Sequence, residues 1–130
     1  MSRPSLLIVD DEAGVRESLR MIFNRDFRIL EAASSEVAIE KAQEESPEIV
    51  LLDIRLPGVG GLEVLRRIKE SNPHCQVIML TALKTAHTAL VAKELGAFDY
   101  VVKPFDVAEL SLRVHRALGL VAEKTGGTGS

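Results

Sequence analysis

The chain has 130 residues, of which 46% are apolar and 27% charged, and its formal net charge is −3. These values suit one compact domain with its own hydrophobic core; they exclude compositional disorder and a surface dominated by nucleic-acid-binding basic charge. The one cysteine, Cys75, leaves no internal disulfide, the first apolar run is too short for a secretory leader, and no stretch approaches the ~20 apolar residues of a membrane helix, so the expected location is the cytoplasm.

Residues 6–9 are apolar at consecutive positions, as a strand buried on both faces requires, and run into Asp10-Asp11-Glu12. Val15, Leu19, Ile22 and Phe23 then make one apolar stripe at helical spacing. A second run, 27–30, precedes a helix that Ser34 or Ser35 caps and that carries Ala38, Ile39 and Ala42. The third run, 49–52, ends in Asp53. Leu62, Leu65 and Ile68 mark a third helix, with Glu63 and Arg67, and Arg66 and Glu70, one turn apart on its outer side. The fourth run, 77–80, ends in Thr81-Ala82. The helix after it, about 86–95, is weak by propensity because it carries threonine, and Gly96 suits a left-handed end. The fifth run, 100–102, ends in Lys103-Pro104, and a cis bond before Pro104 is one option. Asp106 and Glu109 make a box-like cap for a last helix bearing Leu110, Val114 and Leu118. The expected domain spans 1–120. Residues 121–130, of which 125–130 are only Gly, Thr and Ser, read as a flexible tail or linker.

Strands alternating with helices imply an α/β fold: a doubly wound parallel sheet with helices on both faces. Right-handed crossovers leave few topologies. In the flavodoxin-like (βα)5 order 2-1-3-4-5, strands 1 and 3 are neighbours and function sits at their carboxyl ends. Asp10, Asp11 and Asp53 then open on one crevice. Gathered carboxylates repel one another unless protons, a cation or a metal offset them, and hard oxygen ligands favour Mg2+. A lone Asp at such a place is more often a helix cap; of a pair, one is not. Glu12 reads as an ordinary first-turn acid favoured by the helix dipole. Taken singly, Thr81 is a strand-end cap and Lys103 a solvated charge. Together, at the ends of the two remaining strands on that side, they supply a hydroxyl and a cation for phosphoryl oxygens. The first strand–helix turn has no glycine-rich phosphate cradle, which argues against an ordinary mononucleotide-binding domain.

In this order, these residues resemble the receiver domain of two-component response regulators. The resemblance covers 5–118 and rests on Leu6-Leu-Ile-Val-Asp-Asp-Glu12, Leu51-Leu-Asp-Ile-Arg-Leu-Pro-Gly58, Leu80-Thr-Ala82 and Tyr100-Val-Val-Lys-Pro-Phe105. The segment 96–105 looks most like receivers of NtrC-type activators. The resemblance implies that Asp53 accepts the phosphoryl group, and that Asp10, Asp11, Asp53 and the Arg55 backbone carbonyl hold Mg2+. It makes Thr81 the switch hydroxyl, Lys103 the motif lysine, and Tyr100 the aromatic that turns inward on phosphorylation, with a plain strand aromatic as the alternative for Tyr100. It implies a sensor histidine kinase as donor. It also implies an output domain, or a homodimer, governed by the face of helix 4, strand 5 and helix 5, with no direct nucleic-acid or membrane contact. Such a protein is not an enzyme in the turnover sense: it assists its own phosphorylation and slow dephosphorylation.

Two departures stand out. Gly60 takes a place where many receivers carry an acid or polar residue, which is expected to loosen that loop. Arg55 and Leu83 occupy variable positions beside the site. A haloacid dehalogenase-like phosphohydrolase, the first rival, needs an acid two residues past the nucleophile, where Arg55 stands. A non-phosphorylated interaction module, the second, usually lacks the metal acids or the lysine, all present here. His74, His87 and His115 lack ligand spacing, Cys75 reads as a passive thiol, and Asp99 with Arg113 is either an ion pair or two solvated charges. The chain is a stand-alone receiver or a fragment of a larger regulator.

Overall fold

A computed structural model gives the fold and describes residues 3–124. Strands and helices alternate throughout: β1 (Ser5–Val9), α1 (Ala13–Phe23), β2 (Arg28–Ala32), α2 (Ser35–Glu45), β3 (Ile49–Leu52), α3 (Gly61–Ser71), β4 (Gln76–Thr81), α4 (Ala86–Glu94), β5 (Asp99–Val102) and α5 (Val107–Lys124). All strand pairs are parallel, in the order β2-β1-β3-β4-β5, as the flavodoxin-like reading expects.

Side chains alternate across a strand, and here each half of the alternation feeds its own core layer. Leu7, Val9, Val50, Leu52, Val77 and Met79 pack under α2, α3 and α4. Leu6, Ile8, Ile49, Leu51, Ile78 and Leu80 pack under α1 and α5, with Leu19, Phe23, Leu110, Val114 and Val121. The three central strands are therefore apolar at almost every position. Phe27, expected in the second strand, lies just before it; its ring meets Phe23 edge-on at 5.9 Å and closes the turn after α1.

The local signals act where the side chains reach. Ser34, not Ser35, caps α2 by accepting the Val37 N–H. Asp106 accepts the Glu109 N–H at 2.9 Å ahead of α5. Thr85 caps α4 through Thr88 N–H at 3.1 Å, and Gly96 follows its end at φ +103°. Arg66 and Arg67 form the ion pairs expected on α3.

The boundary expected at 120 falls inside α5. The helix runs on to Lys124, because Val121 continues its apolar stripe and is buried; residues 125–130 lie outside the described residues. No helix among the described residues is long and apolar enough to cross a membrane. Cys75 is buried just before β4, and burial pushes its thiol up to about 12.

Candidate functional site

Strand register brings the chemistry together. Val9 pairs with Leu52, so the next residues, Asp10 and Asp53, emerge side by side at the carboxyl edge. The Asp53 N–H donates to the Val9 carbonyl at 3.0 Å, and the Lys103 N–H to the Thr81 carbonyl at 2.9 Å. Four strands thus deliver Asp10, Asp53, Thr81 and Lys103 to one place.

Asp53 is 7% exposed, and both its carboxylate oxygens are engaged. Oδ1 accepts from the Thr81 hydroxyl at 2.7 Å and from the Arg55 N–H at 3.0 Å. Oδ2 lies 2.9 Å from Lys103 Nζ, which also reaches Asp10 Oδ2 at 2.6 Å. Burial pushes the Asp53 carboxyl up, but Arg55 N–H, Thr81 and Lys103 together outweigh it and hold the group below the usual carboxylate range. Burial likewise works against charge on Lys103, and its bonds to Asp10 and Asp53 raise it above the ordinary lysine value. At neutral pH the core of the site is therefore ion-paired.

Neither acid of the Asp10-Asp11 pair caps α1. The cap position belongs to Glu12, which makes no side-chain cap bond, while Asp10 Oδ1 accepts the Glu12 N–H at 2.9 Å. One carboxylate oxygen from each of Asp10, Asp11 and Glu12 lies within 4.8 Å of the others. Glu12, read from sequence as a dipole acid, is thus part of the acid group; three acids in succession were the signal. A cleft of about 410 Å3 is lined by Asp11, Glu12, Asp53, Arg55, Ala82 and Lys103. The donor set is all oxygen, with Asp11 and Glu12 exposed and open to water. That chemistry fits a hard divalent ion such as Mg2+, which keeps several waters. Among the described residues no histidine joins such a group.

The loop after β3 is tighter than Gly60 suggested. Gly60 sits at φ +88°, a region that side chains rarely enter. A Cβ on Gly61 would lie 2.2 Å from the Asp53 carbonyl oxygen, so α3 starts pressed against the backbone of Asp53. Ser35 ties the loop from the far side: its hydroxyl donates to the Pro57 carbonyl at 3.0 Å and accepts the Val59 N–H at 2.8 Å.

Tyr100, on β5, has a polar tie to the loop after β4. Its hydroxyl donates to the Leu83 carbonyl, and the Leu83 N–H approaches the Thr81 hydroxyl oxygen at 3.3 Å. Burial, then the Asp53 charge, raise its phenol above the ordinary value. Thr81, Leu83 and Tyr100 thus form a continuous link from Asp53 to β5. Asp99 and Arg113 form a two-pronged pair at 2.7 Å, joining β5 to α5.

A five-stranded sheet in this order, with an acidic crevice at the ends of β1 and β3 and a lysine from β5 reaching into it, defines the CheY-like class of α/β domains. The family model described as response regulator receiver domain matches residues 6–115, and the chain belongs to that family: it is a receiver domain of the two-component response regulators. Sporulation initiation phosphotransferase F of Bacillus subtilis (strain 168) is 36% identical over 121 residues, covering 92% of this chain and 98% of that protein. Regulatory protein AtoC of Escherichia coli (strain K12) is 40% identical over 120 residues, which are 92% of this chain but 26% of AtoC. Among solved structures, the BeF3-activated DrrB receiver domain superposes with a TM-score of 0.85 at 33% identity, covering 90% of this chain and 98% of that one.

Proposed function

We propose that Asp53 accepts a phosphoryl group from the phosphohistidine of a sensor histidine kinase and holds it as a signal. The observation that carries this reading is the Asp53 carboxylate itself: at the edge of an open cleft, with a hydroxyl, a backbone N–H and an ammonium group already on its two oxygens. An Asp53 oxygen attacks phosphorus in line, the O–P bond forms as the P–N bond breaks, and the electron pair leaves with the donor imidazole. Charge in such a transition state is spread over the transferred oxygens, so the chain's task is to position and neutralise. Lys103 exchanges Asp53 Oδ2 for a phosphoryl oxygen while keeping Asp10. The Thr81 hydroxyl turns from Oδ1 to a second phosphoryl oxygen. Asp10, Asp11, Asp53 and the Arg55 carbonyl would hold Mg2+, which supplies the positive charge that keeps acids and phosphoryl group together. Water later hydrolyses the acyl phosphate, so the chain is a switch rather than a turnover enzyme.

The readout runs through the Thr81–Leu83–Tyr100 link to the face of α4, β5 and α5, which would engage an output domain or a second copy in the cytoplasm. Thr81 on Asp53 and Tyr100 on the Leu83 carbonyl agree with the inward arrangement of that switch, a two-state population shift. Beryllofluoride titration followed by amide NMR tests the proposal. Wild-type chain is expected to show Mg2+-dependent shifts around Asp53, Thr81 and Tyr100, and Asp53→Asn none. A wild type that does not respond would sink the proposal.

A further inference from the structure

The acid loop is held by a residue that the apolar stripe of α1 did not bring to notice. The Asp10 N–H is paired with the Ala32 carbonyl at 3.1 Å, but its own carbonyl lies beyond the last paired residues of β1 and β2, Val9 and Ala32. The sheet gives that carbonyl no partner. Arg16 does: from α1 its Nη1 donates to the Asp10 carbonyl at 2.8 Å. On its other edge, Nε donates to Glu31 Oε1 at 3.1 Å. Glu31 stands on β2, and Arg20, one turn further along α1, takes its second oxygen at 2.9 Å through Nε. Two arginines one turn apart repel; Glu31 between them turns the repulsion into a clamp.

We infer that Arg16 is a positioning residue for the metal-holding loop, fixing the peptide between Asp10 and Asp11 and so the direction in which the Asp11 carboxylate points. The inference rests on the proposed Mg2+ site. The planar guanidinium is oriented from two sides, by a strand carboxylate and a loop carbonyl; a lysine ammonium can donate to the carbonyl but lacks the fixed fork, and so reproduces the arrangement only in part. Among the described residues no hydrogen bond holds the Asp11 carboxylate, so its placement depends on its backbone, and Arg16 sets that backbone. Partners behind metal ligands act in this way.

The sign of one measurement separates this role from a plain electrostatic one. Arg16 brings positive charge near the acids. If charge were all, its removal would tighten Mg2+ binding; if it positions the loop, removal weakens binding. MgCl2 titration of the full chain by amide NMR, at fixed salt, is the experiment. Arg16→Met is expected to raise the Mg2+ Kd about tenfold, at the low end for residues behind metal ligands, and Arg16→Lys to recover part of that loss. Binding by Arg16→Met as tight as wild type or tighter, or no recovery with lysine, overturns the inference. Should the methionine variant not fold, Arg16→Gln, neutral and too short for both acceptors, is judged by the same sign. Wild-type chain that binds no Mg2+ would instead overturn the metal site itself.

Discussion

Helices α3 and α4 lie on the same face of the sheet but are held in different ways. α3 buries Gly61, Val64, Leu65 and Ile68, and its outer side is laced by Glu63, Arg66, Arg67 and Glu70. Its first residue is fixed by backbone: the Gly61 N–H donates to the Ile54 carbonyl at 2.8 Å. α4 buries only Ala92 and leaves Leu90 55% exposed. Its ties to the site run through side chains: the Thr85 cap before it, and Tyr100 gripping the Leu83 carbonyl. Local opening is easiest where few apolar contacts are made. The helix that begins against the Asp53 backbone is thus the fixed one, and the helix reached through Thr81 is the one able to shift.

The largest effect expected from this contrast is in the core. Leu65→Ala should cost about 3 kcal/mol, since Leu65 is fully buried under the sheet, whereas Leu90→Ala should stay within about 0.5 kcal/mol. Urea unfolding measures both, and equal losses would abolish the contrast. Gly61→Ala comes next. Its Cβ would collide with the Asp53 carbonyl, so a loss of about 2 kcal/mol is expected, with amide shifts at Asp53 and Ile54; an unperturbed spectrum would mean that the start of α3 is not fixed. Thr85→Ala should cost about 1 kcal/mol of helix capping, read as faster amide exchange in α4 while α3 stays protected. Uniformly faster exchange would place α4 within the global unfolding unit.

The smallest effect is a titration. The Asp53 carboxyl is depressed in the fold, chiefly because three donors outweigh its burial. Its stabilising contribution is therefore complete above the unfolded carboxylate pKa and is lost as pH falls through the folded value. Lys103, raised in the fold, contributes fully below its unfolded pKa and loses that contribution only as strong alkali passes its folded value. In an acid series the amides of Thr81 and Leu83 should therefore move before those inside α3, and simultaneous movement would show that the two helices sense Asp53 equally.

Much of this was legible because buried parallel strands leave a strong signature. The run at 49–52, with no polar interruption, was placed to the residue, and once the strand order was set, Asp10, Asp53, Thr81 and Lys103 had to meet. What escaped did so for physical reasons. Phe27 looked like strand because it is apolar and adjoins β2, but its ring is wanted against Phe23 across a turn. The end of α5 was cut short because the polar, glycine-rich tail outweighed one further apolar residue, Val121, whose burial only the packed fold reveals. Ser35 and Arg16 bond to segments distant in the chain, Pro57 and Glu31, and such bonds leave no periodic trace. Glu12 was set aside because a first-turn acid has an ordinary explanation.

Cys75 has a consequence for the bench. Its sulfur is buried, and burial pushes its thiol up to about 12, so the reactive thiolate is scarce at neutral pH. An alkylating reagent therefore meets this sulfur chiefly when the chain opens ahead of β4, which makes the rate of labelling a clock for that opening. A second cysteine engineered onto the outer side of α4 would take a spectroscopic tag while the native one stays silent, and the movement of that helix could be followed in an otherwise unaltered protein.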